Sequence, residues 1–525
     1  MTKKSLLFFG IFLSGILSIF IYPTVIFHQH FPDFGVLAWF HLIPLLLVLP
    51  SLRGLKFFGA AALAGLIGYG GTLYWLVLAM KNFGGLSLGE ATGVLFLILI
   101  ILALYFSLAL FLAYWVHRRL RWPLFILIPV FLISFDFLRK YFPVGGFPWP
   151  MASYSQGGFL PYFQWVDIFG AYGLSFFIFL VNVLLTDLIL YWKSREFDVL
   201  LTRGVTLVLV VLISFYASIL DQRHCDKTAQ NLGDLRLALI QGNISQDMKW
   251  DPQSARENVL QYLNLTRQAA SEGAEMAVWP ETAYPYTVDL SDLSSVRLFD
   301  ADRLPLPTFL GAVSQWPTAT ALLPIYYNSA FMVGTDGLVT GFYHKMHLVP
   351  FGEYVPMKNW LVFARRLTTS VGDFTPGTHP SLLSFNNFKL APLICYEDIF
   401  SDISRAFVKA GADLLVNMSN DAWYGNSSAS YQHLVFSQFR ALENRRYLVR
   451  STNTGVTAVI DTHGDVLKTL PPFSEGVLVW PISVEKEEAP YTRWGDWVAW
   501  GCVILGCVSL WMTFLYIKNK GKSYV

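Results

Sequence analysis

Two stretches of the chain are too apolar to belong to a soluble domain. Residues 1–220 hold long apolar runs, residues 221–495 have an ordinary polar composition, and residues 496–517 are apolar again. A run of about 18 apolar residues is enough to cross the hydrocarbon core of a bilayer. The sequence therefore predicts a multi-span α-helical membrane region, then a domain outside the bilayer, then one further span.

Eight apolar runs are candidate spans, seven before the polar section and one after it. They cover about residues 5–27, 34–50, 55–80, 91–116, 123–140, 166–192, 204–220 and 496–517. The first run is long, lacks a small-residue cleavage site and is followed by further spans, which favours a retained helix over a cleaved signal peptide. The predicted boundaries are 1–220 for the seven-span region, 221–495 for the outer domain, and 496–525 for the last span and its tail.

Lysine and arginine collect in alternate loops between these runs. They precede the first span, lie after the second, fourth and sixth, and follow the eighth: Lys3, Lys4, Arg53, Lys56, Arg118, Arg119, Arg121, Lys193, Arg195, Arg203, Lys518, Lys520 and Lys522. The other loops are nearly free of them, with Lys81, Arg139 and Lys140 as exceptions. Because positive residues mark the cytoplasmic side, the pattern predicts cytoplasmic termini and an outer position for residues 221–495.

Composition argues against several classes of partner and site. Charged residues make up 14% of the chain, against about 25% in soluble proteins, as expected of a membrane protein. The net charge is only +2, and no basic stripe is interleaved with aromatic residues, so we expect no nucleic-acid partner. The four cysteines form no CxxC pair and no metal-ligand cluster occurs in the sequence, so we predict no disulfide framework, no metal and no cofactor.

Short apolar strands alternate with helices in the outer domain. The predicted strands cover residues 235–244, 275–279, 308–313, 328–334, 389–394, 413–418, 457–461 and 476–480, and the predicted helices cover 252–271, 401–411 and 429–447. Such alternation is typical of a layered α/β fold.

Three residues in this domain have side chains suited to acyl chemistry. Cys395 lies between an apolar strand and a helix, where a sharp turn exposes a nucleophile, although a buried structural cysteine is the alternative. Glu281 ends another apolar strand, where α/β sheets place their sites, although a solvated loop carboxylate is equally compatible. Lys345 lies in a segment rich in aromatics, prolines and glycines, and taken alone would be a surface lysine.

The three residue types have a chemical reason to occur together. A thiol at neutral pH needs a base to become a thiolate, and a carboxylate can be that base if partial burial raises its pKa. The oxyanion that forms when the thiolate attacks a carbonyl needs a positive charge or amide donors. A lysine, together with the amide that follows the cysteine, meets that need.

Five motifs give the chain a family resemblance. They are Trp279-Pro-Glu-Thr, residues 345–356 (KMHLVPFGEYVP), Cys395-Tyr-Glu, Asn420-Asp-Ala-Trp-Tyr-Gly and Ser451-Thr-Asn-Thr-Gly. In these motifs and their order the chain resembles the nitrilase superfamily and, with its membrane spans, the apolipoprotein N-acyltransferase branch. The resemblance implies an α/β nitrilase-like domain built as an α-β-β-α sandwich. It also implies that Glu281 is the general base, Lys345 the transition-state stabiliser and Cys395 the nucleophile.

The resemblance extends to supporting residues. It implies that Glu353 orients the catalytic lysine, and that Tyr396 and Glu397 shape the pocket beside the nucleophile. It also implies a loop that admits lipid at Trp423 and Tyr424, with a core aromatic as the alternative for Trp423. Arg445 and Arg446 end a helix, where cations favour the helix dipole, and a phosphate contact is a second interpretation for this pair.

The function implied by the resemblance is the last step of lipoprotein maturation. A phospholipid donates an acyl chain to the cysteine, and the amine of a diacylglyceryl apolipoprotein accepts it in a ping-pong reaction. The implied location is the bacterial inner membrane with a periplasmic catalytic domain. One alternative is a membrane-anchored amidohydrolase in which water resolves the thioester. Another is a transporter or scaffold, but the intramembrane ionisable residues Glu90, Asp136 and Asp187 are few and mostly near span ends.

Overall fold

A computed structural model describes most of the chain. The residues outside the description are 1, 27–28, 32–33, 83, 144, 229, 250, 293–295, 300–303, 317–323, 355–372, 487 and 523–525. The chain forms two compact units. One comprises Met1–Val77, Gly89–Arg223 and Trp494–Val525, and the other comprises Leu78–Leu88 and His224–Arg493.

Apolar helices dominate the first unit. In chain order the helices are α1 (Lys3–Phe20), α2 (Ile43–Val48), α3 (Gly54–Thr72), α4 (Trp75–Asn82), α5 (Leu88–Leu120), α6 (Leu124–Arg139), α7 (Val166–Ser194) and α8 (Phe197–Thr228), followed at the end of the chain by the helix Trp497–Lys522. Residues 78–82 of α4 and 224–228 of α8 belong to the second unit. A small antiparallel hairpin, β1 (Thr24–Ile26) and β2 (Gln29–Phe31), follows α1.

Five of the described helices are long and apolar enough to cross a membrane. They are α1, α5, most of α7 and of α8, and the last helix; a sixth span results if α3 and α4, which meet at a 55° bend, count as one. The two remaining predicted spans are shorter helices. Pro44 and Pro50 interrupt residues 34–50, because proline lacks the N–H that a helix interior needs. Helix α6 follows Pro123 and has 16 residues, which extend only about 24 Å.

A buried asparagine supports the irregular backbone in this unit. The Asn182 side chain of α7 donates to the carbonyls of Ala38 and Ile178 at 2.8 and 2.9 Å, and its Oδ1 accepts from the Leu42 N–H at 3.0 Å. An unsatisfied backbone amide in hydrocarbon costs several kcal/mol. The broken helix between residues 35 and 51 is therefore stabilised by a side chain that replaces the missing helical partners.

Two mixed β-sheets form the second unit. The strands are β3 (Gln230–Gln241), β4 (Met276–Val278), β5 (Tyr284–Asp289), β6 (Thr308–Trp316), β7 (Ile325–Val333), β8 (Val339–His344), β9 (Leu383–Phe385), β10 (Phe388–Ile394), β11 (Leu414–Ser419), β12 (Leu448–Thr452), β13 (Thr457–Ile460), β14 (Val466–Leu470) and β15 (Gly476–Lys486). One sheet has the order β15-β3-β4-β6-β7-β8, with β5 also paired to β6, and the other has the order β14-β13-β12-β11-β10-β9.

Parallel strands lie at the centre of each sheet. Strands β3, β4 and β6 are parallel in the first sheet, and β10, β11 and β12 are parallel in the second. The carboxyl ends of parallel strands meet at one edge, which is where α/β folds place their sites. The strands are rich in buried aliphatic side chains, as expected of sheets covered on both faces.

Helices pack beside these sheets and complete the layered fold. They are α9 (Gln246–Lys249), α10 (Ala255–Ser271), α11 (Ser401–Lys409), α12 (Ala429–Asn444) and α13 (Pro490–Trp494). Trp279 anchors α10, because its ring stacks on Tyr262 at 5.0 Å and its Nε1 donates to Thr266 at 2.9 Å. The predicted α/β fold is confirmed. The predicted helix 429–447 ends earlier, at Asn444, because Arg445 takes a left-handed φ of +47°.

Candidate active site

The three residues of the predicted triad each follow a strand of the second unit. Glu281 follows β4, Lys345 follows β8, and Cys395 follows β10. All three side chains are buried. The charges of Glu281 and Lys345 both act on the Cys395 thiol, so the structure brings the three together.

Cys395 occupies a strained turn. Its φ is +50°, in the left-handed region that L-residues rarely adopt, and a short 3-10 turn over Cys395–Ile399 follows. The carbonyl of Cys395 lies 3.3 Å from the Asn417 Nδ2 that donates to it. Strain of this kind costs about 1–3 kcal/mol and persists where the surroundings impose it, often at active sites.

Glu281 is held at both carboxylate oxygens. Its Oε1 accepts from Asn328 Nδ2 at 2.8 Å and lies 3.5 Å from Lys345 Nζ, while Oε2 accepts from the Asn420 N–H at 3.1 Å. Its turn packs closely on β6, where a Cβ on Gly311 would come within 2.5 Å of the Thr282 nitrogen. The Glu281 carboxylate is therefore held by contacts from residues on or just after β7, β8 and β11.

Glu353 forms an ion pair with Lys345. Lys345 Nζ lies 3.0 and 2.9 Å from the two carboxylate oxygens of Glu353. Burial alone would lower the pKa of Lys345, but the carboxylates of Glu353 and Glu281 raise it above its usual range. Lys345 is therefore an ammonium. Residues 355–356, which end the predicted motif, lie outside the described residues.

The thiol of Cys395 is protonated in the resting enzyme. Burial raises the pKa of Cys395 above its usual range, and the charge of Glu281 raises it further, while Lys345 lowers it. A thiol in this environment needs a base at the moment of reaction. Glu281 is the adjacent carboxylate.

Glu397 forms hydrogen bonds that connect the turn of Cys395 to the segment that carries Lys345. Its Oε2 accepts from the Ile394 N–H at 2.8 Å, and its Oε1 accepts from the Met346 N–H at 2.7 Å and from the Tyr343 hydroxyl at 2.6 Å. Burial raises the pKa of Glu397 to about 7, although these hydrogen bonds lower it. Glu397 thus holds the turn after β10 against the segment after β8.

The aromatic residues predicted at the pocket lie around this turn. Tyr396 is buried and packs on Phe400, with ring centroids 5.2 Å apart. Trp423 and Tyr424 follow β11 in a short 3-10 turn and are half-buried. Burial raises the pKa of the Tyr424 hydroxyl.

Sequence reasoning missed several residues of the site. Asn328 of β7 donates to Glu281 and Glu353 at 2.8 and 2.7 Å, and Lys249 of α9 donates to the Glu281 carbonyl at 2.8 Å. The signal for Asn328 was a polar residue within an apolar strand. Lys249 gave no signal beyond its place just after a buried strand.

A buried ionic cluster lies below the nucleophile. His433 lies 2.8 Å from Asp398 and 3.1 Å from Asp421, and Arg450 lies 2.8 Å from Asp421 and 3.3 Å from Asp398. Burial and the charge of Arg450 lower the pKa of His433, but the two carboxylates outweigh them and raise it to about 9. The cluster therefore pairs two cations with two anions, and His433 Nε2 also lies 3.3 Å from the Cys395 carbonyl.

Arg445 and Arg446 are structural residues. Both are buried, and Arg446 donates to the carbonyls of Ala412 and Arg445 at 2.9 and 2.8 Å. Their guanidinium groups thus donate to protein carbonyls around the end of α12, including that of Thr462. Among the described residues, no group of three or more His, Cys, Asp or Glu side chains is arranged to hold a metal ion.

Comparisons with known proteins identify the family. Residues 236–489 match the family model of carbon-nitrogen hydrolases, and residues 14–184 match that of the apolipoprotein N-acyltransferase N-terminal domain. An apolipoprotein N-acyltransferase of Geobacter metallireducens is 38% identical over 495 residues, which cover 94% of this chain and 92% of that protein. The chain belongs to the apolipoprotein N-acyltransferase family.

A second relative agrees with this assignment. The apolipoprotein N-acyltransferase of Azotobacter vinelandii is 33% identical over 457 residues, covering 83% of this chain and 84% of that protein. A crystal structure of Saccharomyces cerevisiae Nit3, a member of branch 10 of the nitrilase superfamily, has a TM-score of 0.37 at 16% identity and covers 48% of this chain and 91% of that chain. The chain is thus a multi-span membrane protein and an apolipoprotein N-acyltransferase by homology. The predicted acyltransferase function is confirmed.

Proposed function

We propose that Cys395 takes an acyl chain from a phospholipid as a thioester and passes it to the N-terminal cysteine amine of a diacylglyceryl apolipoprotein. The observation that supports this most strongly is the contact of the Lys345 ammonium with the carboxylates of Glu281 and Glu353, beside a buried, protonated thiol. A carboxylate base, a fixed ammonium and a thiol are what acyl transfer through a thioester requires.

The first half-reaction forms the thioester. Glu281 takes the proton of the Cys395 thiol, and the sulfur attacks the ester carbonyl carbon of the phospholipid. The ammonium of Lys345, oriented by Glu353, stabilises the oxyanion. When the carbon–oxygen bond breaks, Glu281 gives the proton to the leaving oxygen, so that a lysophospholipid departs and the acyl group stays on sulfur.

The second half-reaction transfers the chain. The neutral α-amine of the lipoprotein attacks the thioester carbonyl, and its surplus proton passes to Glu281. The carbon–sulfur bond then breaks, the amide remains on the lipoprotein, and Cys395 regains its proton from Glu281. We assign Trp423 and Tyr424 to the path by which lipid reaches the sulfur, with Tyr396 and Glu397 shaping the pocket wall.

We also propose the placement of the chain in the bacterial inner membrane. Both termini are cytoplasmic and residues 221–495 are periplasmic in this proposal. The support is the distribution of lysine and arginine between alternate loops. Spans at both ends tether this section to the bilayer, in which both lipid substrates reside.

Trapping the thioester tests the proposal. The full-length protein in detergent micelles is incubated with a phospholipid of one defined acyl chain and no acceptor. Peptide mass spectrometry is expected to find that acyl mass on the Cys395 peptide, and hydroxylamine is expected to remove it. A Cys507→Ala variant, which loses an exposed cysteine of the last helix, should keep the adduct, while Cys395→Ala should lose it.

The acceptor is tested on the same trapped enzyme. A diacylglyceryl peptide with a free N-terminal amine should discharge the thioester and gain the acyl mass, whereas its N-acetylated form should not. An adduct on a residue other than Cys395, or a Cys395→Ala protein that still produces triacylated lipoprotein, would overturn the assignment of the nucleophile. Discharge by water at the same rate as by the peptide would indicate an amidohydrolase.

A further inference from the structure

A second lysine is buried beside the proposed base. Lys249 ends the short helix α9, which follows β3, and only 5% of the residue is exposed. Its Nζ donates to the backbone carbonyl of Glu281 at 2.8 Å. Lys345 approaches the carboxylate of the same residue, so Glu281 is contacted by one ammonium at its backbone and another at its side chain.

The contact falls on a strained part of the backbone. Thr282, immediately after Glu281, has a φ of +46°. A left-handed threonine is costly because its Cβ is branched, so the turn needs external support. The hydrogen bond from Lys249 supplies support at the carbonyl that enters this turn.

The helix that carries Lys249 is also linked to the carboxylate of Glu281. Gln246, at the start of α9, accepts from Asn420 Nδ2 at 2.8 Å, and the Asn420 N–H donates to Glu281 Oε2 at 3.1 Å. Helix α9 thus acts on Glu281 by two routes, one through the carbonyl and one through Asn420. These contacts orient the Glu281 side chain, which the packing of a hydrophobic core alone would not require.

The surroundings of Lys249 offset only part of the cost of burying its charge. Burial lowers the pKa of Lys249 to about 8, although the charges of Glu281 and Cys395 raise it. Lys345 shows the opposite balance. A buried lysine with a lowered pKa costs stability at neutral pH, so stability does not explain the presence of Lys249. The Lys249 ammonium lies 2.8 Å from the carbonyl of Glu281, so its charge favours negative charge that develops beside Glu281.

We propose that Lys249 is a positioning residue of the acyl-transfer site, which fixes Glu281 through its carbonyl and supplies a second buried cation next to the Glu281–Cys395 pair. The proposal rests on the proposed roles of Glu281 and Cys395. During acylation the thiol proton moves to Glu281, and Lys249 keeps its own proton and its hydrogen bond. The negative charge on sulfur then develops near two ammonium groups.

The pH dependence of thiol reactivity tests this role. Alkylation of Cys395 by iodoacetamide is followed by peptide mass spectrometry from pH 6 to 10 in full-length wild type, Lys249→Met and Lys249→Arg. Loss of the cation in Lys249→Met is expected to slow alkylation about tenfold at pH 7, and the difference should vanish above pH 8, where wild-type Lys249 loses its proton. Lys249→Arg keeps a charge and should retain the wild-type rate at pH 7.

Controls separate this effect from a structural one. Lys409→Met makes the same chemical change at an exposed position on α11 and should leave the profile unchanged. If Lys249→Met does not fold, Lys249→Gln takes its place, because glutamine keeps an N–H donor but no charge. A slower rate at pH 7 for Lys249→Gln beside an unchanged one for Lys249→Arg supports the proposal; equal rates in the charged and uncharged variants overturn it.

Failure of the proposal can be told apart from failure of the proposed function. If Cys395 is not the nucleophile, wild type forms no acyl adduct on the Cys395 peptide with phospholipid alone. If only the role of Lys249 is wrong, wild type forms the adduct, and Lys249→Met forms it at the wild-type rate and is alkylated at pH 7 as fast as wild type.

Discussion

The side-chain amide of Asn328 donates to two carboxylates at the centre of the site. The Nδ2 of Asn328 donates to Glu281 at 2.8 Å and to Glu353 at 2.7 Å, and both acids also approach Lys345. Two carboxylates so near one another repel unless donors lie between them. Asn328 therefore places a donor between Glu281 and Glu353.

Replacing this amide should impair the base. In Asn328→Leu both carboxylates lose a donor, and a carboxylate that loses a hydrogen bond to its charged form is protonated more readily. We expect the acylation rate at pH 7 to fall about 10- to 100-fold, measured as the rate at which the acyl adduct forms on the Cys395 peptide. Asn264→Leu, on an exposed face of α10, is the control. An unchanged acylation rate would contradict this role for Asn328.

Elements far apart in sequence meet in the ionic cluster below the nucleophile. Asp398 follows β10, Asp421 follows β11, His433 lies on α12 and Arg450 on β12. His433 and Asn417 both approach the carbonyl of Cys395 at 3.3 Å. The cluster thus connects three parallel strands and a helix under the strained turn. We expect that removing one of its charges displaces the backbone of Cys395.

The cluster should make stability depend on pH. The pKa of His433 is raised from 6.5 to about 9 in the folded chain, so its stabilisation is complete below pH 6.5 and is lost as the pH rises through 9. The difference of about 2.5 pH units corresponds to about 3 kcal/mol.

The unfolding free energies of wild type and His433→Asn should therefore differ by about 3 kcal/mol more at pH 6 than at pH 10. Denaturant unfolding in micelles, followed by tryptophan fluorescence, measures the two values. His379→Asn changes an exposed histidine and should show no such dependence. A difference for His433→Asn that stays constant over this range would refute the interpretation.

Hydropathy predicted strands whose buried side chains are apolar, and it missed a strand in which several buried side chains are polar or charged. Strand β12 was not predicted, because Arg450, Ser451 and Thr452 look like loop residues, yet all three are fully buried. Arg450 is buried because Asp398 and Asp421 pair with it from other strands. Such partners are distant in sequence, so a local pattern does not contain them. Asn328 and Lys249 escaped prediction for the same reason.

Family motifs extended the prediction of the site further than chemistry alone. The order of Glu281, Lys345 and Cys395 was read from the sequence, and the structure brings the three together around one thiol. What the motifs could not supply was the support of each residue: the amide between the acids, the lysine at the carbonyl and the cluster below the turn. These depend on tertiary contacts between strands.

At the scale of the whole molecule, the predicted topology depends on an even number of spans. Hydropathy predicted eight, and the described residues contain five helices that qualify, or six with the bent pair α3 and α4. The difference lies in residues 34–50 and 123–140, where prolines interrupt or shorten the helices. Asn182 stabilises the first of these segments.

Labelling of single introduced cysteines tests the orientation. A membrane-impermeant maleimide is applied to intact cells carrying Asn264→Cys on α10 or Lys520→Cys near the end of the last helix, both exposed positions. With an outer membrane made permeable, Asn264→Cys should react, and Lys520→Cys should react only after lysis. The unaltered chain gives the background. The reverse pattern would place residues 221–495 in the cytoplasm.

The buried thiol has a pharmacological consequence. Because the resting cysteine is protonated and only 5% exposed, general electrophiles that react with solvent-accessible thiolates will modify Cys395 slowly. In the proposed mechanism, a compound that first occupies the lipid path and presents a carbonyl to the sulfur generates its own nucleophile, because Glu281 takes the thiol proton at that moment. Selective inhibitors of this chain should therefore combine a lipid-like shape with low intrinsic reactivity.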